Sequence, residues 1–249
     1  MPKFFISEEQ IEENKIKIIG KDVNHIKNVL REKIGNKITI CNTCDGQDYL
    51  CEITKIEEEQ IECKLKEKIE SNSESNIKVT IMQGLPKSDK MELIIQKAVE
   101  LGVNDIIPIE MNRCVVKINE KDKNKKIQRW QKISEVAAKQ SGRNIIPEIK
   151  DIIKLKNICT FIDEYDIVLL AYENEKENTI KQELKRIERF KNKELKIAVI
   201  IGPEGGIAPE EVQELQKSGV TTITLGKRIL RTETVALNVL SVIMYELEN

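Results

Sequence analysis

The chain has 249 residues, enough for one large domain or two modest ones. A formal net charge of −1 excludes a surface that is basic all round, so any nucleic-acid contact has to be local. Apolar runs reach only strand length, which argues against a membrane span, and six scattered cysteines lack the framing of a small secreted scaffold and read as reduced thiols.

Met1-Pro2-Lys3-Phe4-Phe5-Ile6 turns acidic too soon for a signal peptide, so a cytoplasmic location is expected. Short strand patterns follow at Lys15–Ile19, Lys37–Cys41, Tyr49–Ile53 and Ile61–Leu65. A helix over Asp22–Arg31 interrupts them, with Asp22 as its cap and Val23, Ile26, Val29 and Leu30 as its apolar stripe. Alternation on either side of a polar Asp45-Gly46 turn predicts a hairpin, and short strands with tight turns predict a small β-barrel. Cys41-x-x-Cys44 is the one metal candidate. No second close pair accompanies it, and His25 lies outside zinc spacing, so a site would have to recruit Cys51 and Cys63 and no metal is expected. Ser71-Asn72-Ser73-Glu74-Ser75-Asn76 reads as a linker.

From Ile77 onward strands alternate with helices, the pattern of a parallel α/β sheet. Lys78–Met82 is a strand. The next helix begins at Ser88 or Asp89 and ends at Gly102, with Asp89 and Glu92 at capping-box spacing. Ile106–Ile109 is a strand, and a long helix over Lys121–Gly142 carries Trp130, Ile133, Val136 and Ala137. Between Asn112 and Lys150 stand eleven Lys/Arg against four Asp/Glu, a local balance of +7. Phosphate contact is one reading of that run, and a solvated helix face is the other. Asp166–Tyr172 reads as a further strand and Glu175–Phe190 as a helix.

Lys196–Ile201 is nearly continuously apolar, as a strand buried on both faces would be. Gly202-Pro203-Glu204-Gly205-Gly206 follows it. Ala208-Pro209-Glu210-Glu211 then opens a helix striped by Val212 and Leu215 and ended by Gly219. A glycine loop between strand and helix suggests a phosphate cradle. Against that, Glu204 puts a negative charge in the loop, no Lys-Ser/Thr pair follows, and the glycines miss G-x-G-x-x-G spacing. A phosphate-free ligand carrying a cation, such as S-adenosylmethionine, fits better; a tight turn with glycines for geometry alone is the other reading. Thr221–Leu225 is the next strand, and Glu233–Leu247 a closing helix. Lys227, Arg228, Arg231, Glu233 and Thr234 cluster between them, where open α/β sheets place ligands. The structural alternative has Thr232 as helix cap and the arginines on solvent.

Taken together these residues resemble the SPOUT superfamily of RNA methyltransferases. More narrowly they resemble the ribosomal RNA small subunit methyltransferase E family, which methylates N3 of a uridine in 16S rRNA. The likeness extends to Leu85-Pro86-Lys87-Ser88-Asp89-Lys90-Met91-Glu92 with Gln96-Lys97 and Glu100-Leu101-Gly102. It includes Trp130-Gln131-Lys132-Ile133 with Gln140-Ser141-Gly142-Arg143 and Pro147, and His25-Ile26 with Val29-Leu30-Arg31 and Gly35. Lys3 stands where the family commonly has Arg, which keeps the charge and loses bidentate geometry.

The resemblance implies an α/β fold: a PUA-like or OB-like RNA-binding barrel over residues 1–70, a linker over 71–76, and a trefoil-knotted SPOUT methyltransferase domain over 77–249. It also implies a homodimer acting on 16S rRNA or the small ribosomal subunit. The cofactor pocket would be formed by Leu170, Ala171 and Glu173, then Ile201, Gly202, Glu204, Gly205 and Gly206, then Leu225, Gly226, Ile229 and Leu230, closed by Thr234, Ala236 and Leu237. RNA would meet Lys3, His25, Arg31, Lys87, Lys90, Arg113, Gln140 and Arg143. Because uridine N3 carries a proton, attack on a sulfonium methyl needs a proton acceptor or a stabilised uracil anion. Arg231 suits the second role. Glu233 is the nearest acid for the first, weakened as a base by its place at a helix start. A SPOUT enzyme with a tRNA or ribose target, and a noncatalytic rRNA-binding assembly factor, are the alternatives.

Overall fold

Ile38 and Ile40 are fully buried while Lys37 is exposed and Thr39 half-buried, the period-two pattern of a strand with one face on a core. The computed structural model describes residues 3–70, 73–187 and 194–248. Ser71 and Asn72 of the expected linker, and the end of the expected helix at Phe190, lie outside the described residues. The chain forms two units, one of Met1–Glu74 with Ala138–Ile146, the other of Ser75–Ala137 with Pro147–Asn249.

In the first unit the strands are β1 (Lys3–Ile6), β2 (Ile11–Glu12), β3 (Lys15–Ile19), β4 (Lys37–Asn42), β5 (Asp48–Ile56) and β6 (Gln60–Ile69), with helix α1 (Lys21–Asn24) after β3. They form one six-stranded sheet in the order β1-β4-β5-β6-β3-β2. β1 runs parallel to β4, and β4 and β5 form the expected hairpin. Phe4, Ile6, Ile16, Ile18, Ile26 and Ile53 belong to its core. Cys51 and Cys63 are buried there too, as structural thiols. Lys3, in the unforeseen β1, is drawn inward. Its Nζ is 2.8 Å from Asp48 Oδ2 and donates to Gly142 O at 3.0 Å and Asn144 Oδ1 at 2.8 Å. The expected Asp22–Arg31 helix differs. α1 passes into a π-helical turn over His25–Val29, Gly20 occupies the cap position, and Asp22 pairs with Lys139 at 3.0 Å. Of its predicted stripe, Val23 and Ile26 are buried, whereas Val29 is 64% exposed.

The second unit contains β7 (Ile77–Gly84), α2 (Lys90–Glu100), β8 (Asp105–Glu110), α3 (Glu120–Ser141), β9 (Glu148–Ile149), β10 (Ile153–Lys154), β11 (Ile167–Ala171), α4 (Ile180–Ile187), β12 (Leu195–Ile201), α5 (Pro209–Lys217), β13 (Thr221–Ile223) and α6 (Thr232–Leu247). α3 from Ala138 onward counts with the first unit. The seven strands pair in parallel, in the order β10-β8-β7-β12-β11-β13 with β9 on β8. Val79, Ile81, Met82 and residues 197–200 are fully buried, as central parallel strands covered on both faces require. Because the strands point one way, the loops after β7, β11, β12 and β13 emerge at one edge.

Two expected caps are replaced by longer-range bonds. Asp89 precedes α2 without a side-chain cap bond, and Glu92 pairs with Arg129 at 2.7 Å. Arg231, not Thr232, occupies the cap position of α6. α4 starts at Ile180, later than expected. Glu175 accepts from the N–H groups of Lys176, Glu177 and Asn178 and holds the preceding residues in a turn. Among the described residues no helix is long and apolar enough to cross a membrane, and no group of three or more His, Cys, Asp or Glu side chains is placed to hold a metal.

Candidate ligand site at the strand ends

Glycine lets three loops converge at the carboxyl edge of the parallel sheet. A Cβ on Gly84, the last residue of β7, would lie 2.8 Å from Pro203 Cδ and 3.0 Å from Ile201 O, so β7 and the loop after β12 touch backbone to backbone. Gly206 has φ +69°, and a Cβ there would fall 2.4 Å from Glu173 Oε1, which brings the loops after β11 and β12 together. Gly226, at φ +116°, lines the cavity with no atom within 4 Å of where a Cβ would stand, and its N–H and C=O each meet Thr224 Oγ1 at 3.3 Å.

The loops enclose a cavity of about 510 Å³, within the roughly 300–1,000 Å³ common for small-molecule sites. Of the residues expected to hold a cofactor, Ala171, Glu173, Ile201, Gly202, Glu204, Gly205, Gly206, Leu225, Gly226, Ile229 and Leu230 line it, as does Arg231. Leu170 and Ala236 are fully buried in strand and helix, Thr234 is exposed and Leu237 half-buried, and none of the four is on the cavity wall. Tyr172, Pro203 and Val235, within the expected segments, also line it, and so do Thr224 and Thr232, which were not singled out for it.

Thr232 fastens the site. Its Oγ1 donates to Gly202 O at 2.7 Å and accepts from Gln83 Nε2 at 2.9 Å. Gln83 is fully buried, and its Nε2 also donates to Gly84 O at 2.9 Å. One hydroxyl thus joins the end of β7, the glycine loop and the start of α6. An amide directly after the apolar run Ile81-Met82 was the signal for Gln83 that the sequence contained.

The charges are organised. Lys90, Lys227, Arg228 and Arg231 line the cavity against Glu173 and Glu204. Lys90 Nζ lies 3.0 Å from Glu204 Oε1 and 3.3 Å from Glu233 Oε2. Burial pushes the Glu204 carboxyl up. The Lys90 bond, its own N–H and the Lys87 N–H at 3.0 Å outweigh that and hold it below its ordinary value. Lys90 is raised, chiefly by its bond to Glu204, against a smaller opposing effect of burial. Glu233 Oε2 is buried and close enough to Lys90 for an ion pair, but is not aligned for a hydrogen bond. Glu233 itself is not on the cavity wall.

The residues expected to meet RNA divide into two groups. His25, Arg31 and Gln140 of the first unit are exposed, as are Lys87 and Arg113 of the second; Arg113 also donates to Gly205 O at 3.2 Å. Lys3, Lys90 and Arg143 are held in ion pairs. Arg143 is 6% exposed and its Nη2 lies 2.6 Å from Glu74 Oε2.

Comparison with known proteins agrees with this arrangement. A family model described as an RNA methyltransferase domain matches residues 73–244, and one described as an RNA methyltransferase PUA domain matches residues 18–66. The chain is 38% identical over 251 residues to the ribosomal RNA small subunit methyltransferase E of Bacillus subtilis, covering 100% of this chain and 98% of the relative. It is 34% identical to the Mesomycoplasma hyopneumoniae protein of the same name, covering 97% and 98%. Among solved structures it is similar to the Neisseria gonorrhoeae ribosomal RNA small subunit methyltransferase E bound to S-adenosyl methionine, with TM-score 0.84, 28% identity and coverage of 98% and 97%. It is also similar to a methyltransferase of Legionella pneumophila in complex with the same compound, with TM-score 0.82, 29% identity and coverage of 98% and 97%.

Proposed function

We propose that this chain, which belongs to the ribosomal RNA small subunit methyltransferase E family, transfers a methyl group from S-adenosylmethionine to N3 of a uridine in 16S rRNA. The cavity at the strand ends carries this reading. Its size, its side-chain-free wall at Gly226 and the absence of a phosphate-binding Lys-Ser/Thr pair after the glycine loop all suit an adenosine joined to a cationic centre. When bound, S-adenosylmethionine supplies an activated methyl and leaves as a neutral thioether.

The chain would provide the rest. Residues 171–173, 201–206 and 225–230 bind and orient the donor, and Leu225, Ile229 and Leu230 shield it from water. The uridine must lose its N3 proton, and its ring then carries negative charge toward the carbonyl oxygens. Arg231, on the cavity wall, stabilises that charge. Glu233, two residues further on in the first turn of α6 and behind the cavity wall, is the nearest acid of that turn and takes the proton through water.

Residues 1–70 would act as the PUA-like RNA-binding domain, 71–76 as linker and 77–249 as the methyltransferase domain, consistent with the two family models. His25, Arg31 and Gln140 in the first unit, and Lys87 and Arg113 in the second, are the RNA contacts their exposure favours. A knotted threading and a homodimer belong to this proposal, with family membership as their support, and a cytoplasmic location goes with a small-subunit substrate.

Incubating the protein with S-adenosylmethionine and small subunits lacking the modification, then digesting the RNA for mass spectrometry, tests the reading. Three-methyluridine is the expected product. A ribose-methylated nucleoside, or transfer to tRNA alone, would overturn it.

A further inference from the structure

Lys90 occupies an unusual place for a surface cation. It begins α2, lines the cavity, and sits between two carboxylates that come from the glycine loop and from the start of α6. The segment before it is shaped for that contact. Ser88 has φ +57°, a conformation L-residues rarely adopt, and the Lys87 N–H is turned onto Glu204 at 3.0 Å. A strained turn that delivers both a backbone donor and an ammonium to one carboxylate points to a role for the charge balance itself.

We propose that the Glu204–Lys90–Glu233 triad sets the preference of the cavity for a cationic methyl donor over its neutral thioether product, with Lys90 as the residue that keeps this preference moderate. This rests on the proposed function. In methyl transfer the S–CH3 bond breaks, its electron pair stays on sulfur, the methyl forms a bond to nitrogen, and the nitrogen's proton leaves to a base. The ligand in the cavity therefore loses one positive charge. Two carboxylates beside the cavity favour the cation, and one ammonium between them cancels half of that field. Against the fixed background of Lys227, Arg228, Arg231 and Glu173 on the same wall, loss of Lys90 takes the triad's own charge from −1 to −2, and the donor gains on the product. With Glu204 made neutral it rises from −1 to 0, and the donor loses. The field of one charge across a cavity of this size is within about a Debye length and is only partly screened.

The test is calorimetric titration of the full chain with S-adenosylmethionine and with S-adenosylhomocysteine, at about pH 8 so that carboxylates stay ionised. The quantity read is the ratio of the two dissociation constants. Lys90→Met should shift it toward the donor, and Glu204→Gln toward the product, each by roughly threefold to tenfold at low salt and less at high salt. A disordered loop would weaken both ligands alike and leave the ratio fixed, so the opposed signs separate charge from structure. A ratio unchanged in both variants, or moving the same way in both, overturns the inference while the proposed function stands. Failure of the unaltered protein to bind either ligand defeats both.

Discussion

Thr232 Oγ1 donates a 2.7 Å hydrogen bond to the carbonyl of Gly202 and so ties the first turn of α6 to the glycine loop. The same oxygen accepts from the amide of buried Gln83. Thr232→Val keeps the shape and removes both bonds, leaving two polar groups unsatisfied in a dry place. That should cost roughly 1–3 kcal/mol and weaken S-adenosylmethionine binding, whereas Thr232→Ser should stay close to the parent in both. Thermal melts and calorimetry check this; a valine variant of parental stability and affinity would show that the hydroxyl is incidental.

Gly84→Ala probes the contact under that loop. The added methyl would stand 2.8 Å from Pro203 Cδ and 2.9 Å from Pro203 N, and backbone cannot swing aside as a flexible side chain does. Overpacking of this kind costs about 1–3 kcal/mol, and here the relief comes from pushing residues 202–206 outward. Donor affinity should fall along with the melting temperature. An alanine variant that binds the donor at full strength would mean that the two backbones are not pressed together.

Much of the parallel sheet was legible, because strands buried on both faces read as apolar runs. Lys196–Ile201 and Asp166–Tyr172 were each expected within a residue or two of β12 and β11. The glycine loop was legible for a related reason: a strand, glycines and a proline-opened helix occur there in fixed order. Local cap signatures misled where the side chain had a distant partner. Thr232 and Asp22 both looked like caps, and both are engaged far along the chain, with Gly202 and Lys139. The strand at Lys3–Ile6 is only four residues long, too short for periodicity to mark it. Lys3 and Arg143 looked like free cations because nothing nearby in sequence announces Asp48 or Glu74 as their partners.

Glu74 and Arg143 give the first unit a pH dependence. Burial pushes the Glu74 carboxyl up, but the Arg143 guanidinium and the N–H groups of Asn144 and Ile145 outweigh it and leave it below its ordinary value. A carboxyl lowered on folding stabilises fully above its unfolded pKa, and that contribution is lost as pH falls through the folded one. Denaturation followed from neutral pH downward should show this acid limb, and Glu74→Gln should flatten it. Arg143→Met should cost more at pH 7, roughly 1–3 kcal/mol, by leaving a half-buried carboxylate with only its two backbone donors. An unchanged acid limb in the glutamine variant would exclude the pair as its source.

Thiol labelling tests the first sheet. Burial pushes Cys41, Cys51 and Cys63 each up to about 12, for Cys41 with help from Asp48, while Cys44 is exposed. At about pH 8 the three buried thiols are protonated and shielded, so alkylation of the native protein should modify Cys44 first and the half-buried Cys159 more slowly. Cys41, Cys51 and Cys63, and the likewise buried Cys114 of the second unit, should react only on unfolding. Peptide mass mapping that finds Cys51 alkylated under native conditions would contradict the strand register that buries it between Ile38 and Leu65.

Arg231 separates binding from chemistry. It precedes α6 in an extended conformation, φ −71° and ψ 150°, which frees its side chain from the helix, and it is exposed on the cavity wall. In the proposed binding mode the donor is held by peptide groups and apolar side chains of the three loops, so Arg231→Ala should bind S-adenosylmethionine within a few-fold of the parent. The uracil anion would lose its main cationic neighbour, and the rate of methyl transfer should drop by roughly 10²–10³-fold. Arg231→Lys should recover part of it, since a point charge restores the field and not the planar fork. Calorimetry and single-turnover transfer to small subunits measure the two quantities side by side. Lost donor binding with surviving transfer would move Arg231 from the reacting base to the cofactor.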